Sequence, residues 1–151
     1  MKIPEIFNTG LNSNVWGNGG WVFLHSITLT YPNDPTEHDK KMYKNFFESL
    51  GYLLPCNECS NHYNNYIKSN PINSNVLKDK LSLSIWLYNV HNNVNDILNK
   101  KQIGFHQFID EYYQLYTSDF NSTNNIAIYI MIFILLLLIL IYILYKYKCE
   151  L

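Results

Sequence analysis

No arginine and a single alanine occur in this chain of 151 residues, and cysteine, proline and glycine are sparse at three, five and six. With 11 lysines scattered among 12 acidic residues, for a formal charge of −1, there is no basic patch to track a phosphate backbone, and a nucleic-acid-binding module is excluded. The opening MKIPEIFNTG lacks the apolar core of a secretory signal, so none is expected. No alternation of apolar and polar residues marks a strand, which argues against any architecture built on a sheet. What abounds is asparagine, with lysine, isoleucine and tyrosine. That bias reads as AT-rich coding, and most of these asparagines are filler.

The 48% apolar composition hides two unlike parts. Residues Ile126 to Tyr145, IAIYIMIFILLLLILIYILY, hold no charge and no helix breaker. At about 1.5 Å per residue they reach about 30 Å, the thickness of a bilayer core. One transmembrane helix is expected over 126–145, reached by a linker at 121–125 and followed by a tail at 146–151. Its late position favours an N-terminal domain left in the cytosol, although Lys146 and Lys148 pull the other way, and on the opposite side Asn121 would be a glycosylation acceptor.

Ahead of this run, after an N-terminal segment of residues 1–14, roughly 40% of the residues are apolar, as in an ordinary globular domain, and the patterns are helical. One apolar segment runs from Trp16 to Tyr31, stopped by Pro32 and Pro35. Thr36 caps a second that carries Met42, Tyr43, Phe46, Phe47 and Leu50 at helical spacing up to Gly51. A third starts at Pro55 and breaks at Asn70-Pro71, a fourth covers about Asn75 to Lys100, and a short fifth runs from Phe105 to about Thr117. The expected fold is an all-α bundle within residues 15–120.

Chemistry concentrates at Cys56-Asn57-Glu58-Cys59. Cysteines at i and i+3 share a helix face, can close a small ring, and gain thiolate character at a helix N-terminus. Three readings stay open: a redox pair, a zinc site in which Cys56, Cys59, His62 and another histidine hold metal for a membrane-anchored adaptor, or an inert pair. Two further clusters bear on the choice. Gly17, Trp21 and His25 fall at i, i+4 and i+8 on one face of the first helix, where small residues would let a flat ligand reach the backbone. In the fourth helix His91, Asn95 and Leu98 continue one face within a run that also holds Trp86, Asn92, Val94 and Lys100. Taken singly, each of these is more often an ordinary core or surface residue.

Together, Trp16-Gly17-x3-Trp21-x2-Leu24-His25, Leu54-Pro55-Cys56-x2-Cys59 and Trp86-x4-His91-Asn92-x-Val94-Asn95-x2-Leu98-x-Lys100 resemble the Erv/ALR family of FAD-linked sulfhydryl oxidases over about Val15 to Thr117. The resemblance implies a four-helix bundle with a short fifth helix, FAD as cofactor, and a homodimer. It implies that Gly17, Trp21 and His25 contact the flavin cofactor, that His91, Asn92, Val94 and Asn95 surround its adenine and ribose side, and that Lys100 meets its phosphates. Gly20, Leu24, Trp86 and Leu98 would shape the pocket. Cys59 would be the flavin-proximal cysteine and Cys56 the one that exchanges with a dithiol protein substrate, the electrons passing through FAD to dioxygen with release of hydrogen peroxide. The second, shuttle cysteine pair of many members is missing, since only Cys149 remains, so a separate dithiol relay protein is expected. The compact, anchored form looks most like versions from large DNA viruses, placed in a host intracellular or virion membrane and serving viral disulfide formation.

Overall fold

The computed structural model describes the backbone of residues 3–5 and 10–149, and the side chains of these except 119–127, 142, 144 and 147–149. It holds five helices: α1 (Ser13–Leu29), α2 (Glu37–Leu53), α3 (Asn57–Ser69), α4 (Lys80–Ile97) and α5 (Phe105–Cys149). There is no strand among the described residues. The chain divides into two compact units, Met1–Ile103 and Gly104–Leu151.

In the first unit each helix begins where a side chain can satisfy the free amides of its first turn. Asn12 caps α1 by accepting from the Asn14 amide at 2.9 Å. Thr36 and Asp39 form a reciprocal capping box at the start of α2: the Asp39 amide donates to Thr36 Oγ1 at 3.1 Å and the Thr36 amide to Asp39 Oδ2 at 2.9 Å. Asp79 accepts from the Ser82 amide at 2.7 Å and starts α4. This start is later than the expected Asn75, because residues 74–77 form turns and Leu77 is buried, its carbonyl accepting the Tyr31 hydroxyl at 3.0 Å.

Helix α1 packs on α4, and α3 packs on both α2 and α4. Tyr31, Phe47, Leu83, Leu87 and Val90 are fully buried between them. Their burial is worth on the order of 2 kcal/mol each before the cost of ordering is counted. Polar tips of buried aromatics close loops and helix ends: Tyr63 Oη donates to the Phe47 carbonyl at 2.8 Å and Trp86 Nε1 to that of Asn70 at 2.9 Å. Gly51 lets α3 approach α2, since a Cβ there would collide with the Asn64 side chain, whose Nδ2 donates to the Gly51 carbonyl at 2.9 Å.

Two expectations for the C-terminal part are corrected. Helix α5 neither stops near Thr117 nor breaks at residues 121–125: it continues for 45 residues to Cys149. No glycine or proline occurs in that stretch, and Asn, Ser and Thr cost a helix only about 0.5 kcal/mol each. The fifth helix is therefore long, not short. Among the described residues no helix is long and apolar enough to cross a membrane. Within the 126–145 run the side chains of residues 126, 127, 142 and 144 are not described, and those of 128–141, 143 and 145 are exposed. The readings of Asn121 and Cys149 also lie outside the described side chains.

Candidate active site

A cleft of about 440 Å³ opens in the first unit between α1, α3, the end of α2 and the end of α4. Three parts of the sequence converge on it. Helix α1 contributes Gly17, Gly20, Trp21 and Leu24; α3 and the residue that caps it contribute Cys59 and Cys56; α4 and its C-terminal turn contribute His91, Val94, Asn95, Leu98 and Lys100.

The deep wall is aromatic. The Trp21 indole lies parallel to the His91 imidazole, with centroids 4.0 Å apart and planes within 9°. Behind them His25 is fully buried, its Nε2 3.1 Å from His91 Nδ1, so one of the two rings donates and the other accepts. Burial lowers the His25 pKa to about 3, with the His91 ring adding to the effect. Burial also lowers His91 to about 4, helped by the Lys100 ammonium. Both rings are neutral at pH 7, so the wall offers flat surfaces without charge. Gly17 adds open space, as a Cβ there would meet no atom within 4 Å.

Lys100 reaches this cleft because of the way α4 ends. Asn99 has φ of 52°, its amide donates to the Asp96 carbonyl at 3.0 Å, and the Lys100 amide donates to that of Asn95 at 2.7 Å. This paired closure around a left-handed residue turns the chain back over the helix end. Glycine is usual at such a position and asparagine tolerates it.

The cysteine rim of the cleft is the N-terminus of α3. Cys56 and Cys59 are joined as a disulfide with Cα atoms 5.2 Å apart. Cys56 is the N-cap residue, and its Sγ accepts the Cys59 amide at 3.2 Å. Both cysteines are half-buried, so the bond is reachable from the cleft and from outside. A sulfur tied in a disulfide is no metal ligand, and among the described residues no group of three His, Cys, Asp or Glu side chains could hold an ion. The zinc reading with His62 is not favoured.

Three residues singled out by the sequence do not line the cleft. Trp86 belongs to the core, edge-on to Phe47 at 5.5 Å. His25 acts from behind His91. Asn92 Nδ2 donates to the Ile103 carbonyl at 3.3 Å, beside the Tyr88 hydroxyl on the same carbonyl at 2.6 Å, and so holds the segment that leaves α4. Conversely, Trp16, Leu54, Glu58, His62 and Tyr63 line the cleft without having been singled out as pocket residues. The sequence pattern marks His62, one turn beyond Cys59, only as a metal ligand. Leu54 enters only as part of the cysteine motif.

Residues 18–114 match the Erv1 / Alr family. A probable FAD-linked sulfhydryl oxidase of Acanthamoeba polyphaga mimivirus is 38% identical over 95 residues, 63% of this chain and 66% of that protein. An FAD-linked sulfhydryl oxidase of African swine fever virus is 32% identical over 118 residues, 74% of this chain and 93% of the viral one. For an Arabidopsis thaliana FAD-linked sulfhydryl oxidase, 37% identical over 84 residues, this chain spans only 42% of the length. Among solved structures, the FAD binding domain of Erv1 from Saccharomyces cerevisiae superposes with a TM-score of 0.58 at 29% identity, covering 62% of this chain and 87% of that one. With the family match extending over well more than half of its residues, the chain belongs to the Erv1/Alr family.

Proposed function

We propose that this protein is an FAD-linked thiol oxidase that forms disulfides in partner proteins. One observation carries the reading: the Cys56–Cys59 disulfide lies on the same cleft as Gly17, Trp21, His91, Asn95 and Lys100. The printed names of the viral and plant relatives support it.

The residues present fit the cofactor. Trp21 and His91 offer flat uncharged surfaces for a ring system, Gly17 leaves room for one to reach the helix backbone, the Asn95 amide can both donate and accept, and Lys100 supplies a cation for a pyrophosphate. His25, Asn92 and Trp86 would act by holding these groups in place. Bound there, FAD would supply a two-electron acceptor for the reduced cysteine pair and hand the electrons to dioxygen, giving hydrogen peroxide.

The protein's own part is thiol exchange. A substrate thiolate attacks Cys56 Sγ, the Cys56–Cys59 bond breaks, and Cys59 leaves as a thiolate. A second substrate thiolate then attacks the substrate sulfur of the mixed disulfide, forming the product disulfide and releasing Cys56. Two electrons now reside on the pair. Departure of Cys56 is eased by the Cys59 amide that already points at its sulfur, because a better-stabilised thiolate leaves faster.

Three finer parts of the reading rest on the sequence and on the relatives. A homodimer and a separate dithiol relay protein follow from the family resemblance and from the lack of a second cysteine pair. Membrane attachment through residues 126–145 rests on the uninterrupted apolar run. Formation of disulfides in viral proteins made in a reducing cytosol rests on the viral relatives.

The full-length chain, purified in mild detergent, is expected to be yellow, with a flavin band near about 450 nm, and to consume oxygen when given dithiothreitol. A colourless protein that gains neither the band nor oxygen uptake after incubation with FAD defeats the proposal. Extraction of the unmodified chain by alkaline carbonate, without detergent, would defeat the membrane part alone.

A further inference from the structure

The segment just ahead of α1 touches the redox rim in a way the exchange chemistry above does not use. The Leu11 amide donates to the Pro55 carbonyl at 2.6 Å. Gly10 has φ of 87°, a conformation that L side chains rarely adopt, and the position of its would-be Cβ is 3.7 Å from Cys56 Cα and 3.8 Å from the Asn57 amide nitrogen. The next residue, Asn12, caps α1. The Trp16 indole of that helix donates back to the Leu11 carbonyl at 3.5 Å. Residues 10–11 are thus fixed to α1 on one side and laid along the backbone of Pro55, Cys56 and Asn57 on the other.

Pro55 makes this contact informative. It has no amide hydrogen, so its carbonyl is the group through which the backbone just before Cys56 can be held by a hydrogen bond. Cys56 itself must keep an extended conformation, with φ −153° and ψ 115°, for its Sγ to remain over the first turn of α3 and accept the Cys59 amide. While the disulfide is closed, the covalent ring maintains that placement. Once the bond is reduced, only the backbone on either side of Cys56 does so.

We propose that Gly10 and Leu11 form a clasp that positions Cys56, keeping its sulfur at the N-terminus of α3 in the reduced state so that it is held as a thiolate. They are positioning residues, acting through Pro55 and Cys56 without touching a substrate. The clasp rests on the thiol-oxidase reading for its purpose, but its effect on Cys56 exists without a flavin. Gly10 is required because a residue with a β-carbon is strained at that φ, and relaxing the strain would draw residues 10–11 away from the Cys56 backbone, on which they rest at ordinary contact distance. The Leu11 amide is required as the donor.

The test uses the full-length chain carrying Cys59→Ser, which leaves Cys56 unpaired but preserves the backbone amide at position 59. Iodoacetamide labelling of Cys56 is followed by peptide mass spectrometry, which separates it from Cys149, across a pH series. Leu11→Pro removes the donor, and Gly10→Ala keeps the donor but strains the turn. Each change is expected to move the rate profile by about one unit to higher pH, which slows labelling by about tenfold on the acid limb of the profile. Thermal unfolding followed by circular dichroism shows whether the fold is retained. Should Leu11→Pro fail to fold, Gly10→Ala decides. A profile unchanged in every folded variant overturns the clasp. A shifted profile, alongside an unsubstituted chain that neither binds FAD nor consumes oxygen with dithiothreitol, would uphold the clasp and defeat the oxidase reading instead.

Discussion

The two sides of the cleft solve opposite problems. On the α1–α4 side, Trp21, His25 and His91 are packed ring against ring, and burial keeps both imidazoles neutral far below pH 7. On the α3 side, Cys56 and Cys59 are half-buried at a helix start, where a backbone amide points at sulfur and an incoming thiol can reach it. A surface that holds a flat cofactor gains from being dry, rigid and uncharged. A surface that exchanges disulfides must stabilise a negative charge and remain open. One small unit accommodates both because the dry wall is built from helix interiors and the reactive rim from a helix end.

The sharpest way to break the comparison is to remove chemistry from the rim alone. Cys56→Ser and Cys59→Ser are each expected to lower dithiol-dependent oxygen uptake by at least about a thousandfold while leaving flavin absorbance in place, since neither sulfur belongs to the aromatic wall. Oxygen electrode traces and visible spectra of the two variants check this. Loss of colour in both would mean that the two sides are not separable.

Next in size is damage to the dry wall. His91→Ala removes the ring that stacks on Trp21 and pairs with His25, opening the cleft wall and losing packing and a hydrogen bond. A loss of about 2 to 4 kcal/mol in urea unfolding is expected, together with loss of flavin. Acid should act on the same wall. Both histidines have folded pKa values below the ordinary 6.5, so the unfolded chain takes up protons that the folded one refuses. Their contribution is fully present above pH 6.5 and declines as pH falls toward the folded values of about 4 and about 3. At about pH 5 roughly 2 kcal/mol per histidine should be missing, with about half of the total restored in His25→Phe by the loss of one titrating group. Stability that stays flat between about pH 7 and 5 would contradict this.

A smaller effect separates folding from cofactor binding at Gly17. Because a Cβ there meets nothing, Gly17→Ala should leave stability unchanged or raise it by up to about 1 kcal/mol through helix propensity, whereas Gly17→Leu should fold but fill the cleft and lose flavin. Smallest is Lys100→Ala, a rim cation: FAD affinity is expected to weaken by about three- to tenfold, and the difference should shrink at high salt. Titration calorimetry in low and high salt checks it.

Much of this architecture is legible from local pattern. The Thr36 cap, the break at Pro32, the start of α3 at the cysteine pair and the shared face of Gly17 and Trp21 each depend on residues within a turn or two. What was not legible depends on partners distant in the chain. Helix α4 starts five residues later than its pattern indicates because Leu77 is drawn into the core below Tyr31. His25 and His91 are 66 residues apart, and no spacing rule pairs them. The contact of Leu11 with Pro55 involves backbone only and leaves no mark in side-chain pattern. At the C-terminal end the polar cluster at residues 121–125 resembles a linker, yet without glycine or proline nothing there forces the helix to stop.

The parallel stack of Trp21 on His91 also gives the cleft an optical voice of its own. A protonated imidazole in van der Waals contact with an indole drains its excited state far more effectively than a neutral one, so emission from Trp21 should stay bright through the neutral range and dim only where His91 finally takes a proton, near pH 4. Trp86, locked in the core against Phe47 with its N–H on the Asn70 carbonyl, has no imidazole among those contacts and supplies the steady background. Fluorescence can thus follow, in the intact chain and without a label, the charge state of the wall on which a cofactor would rest.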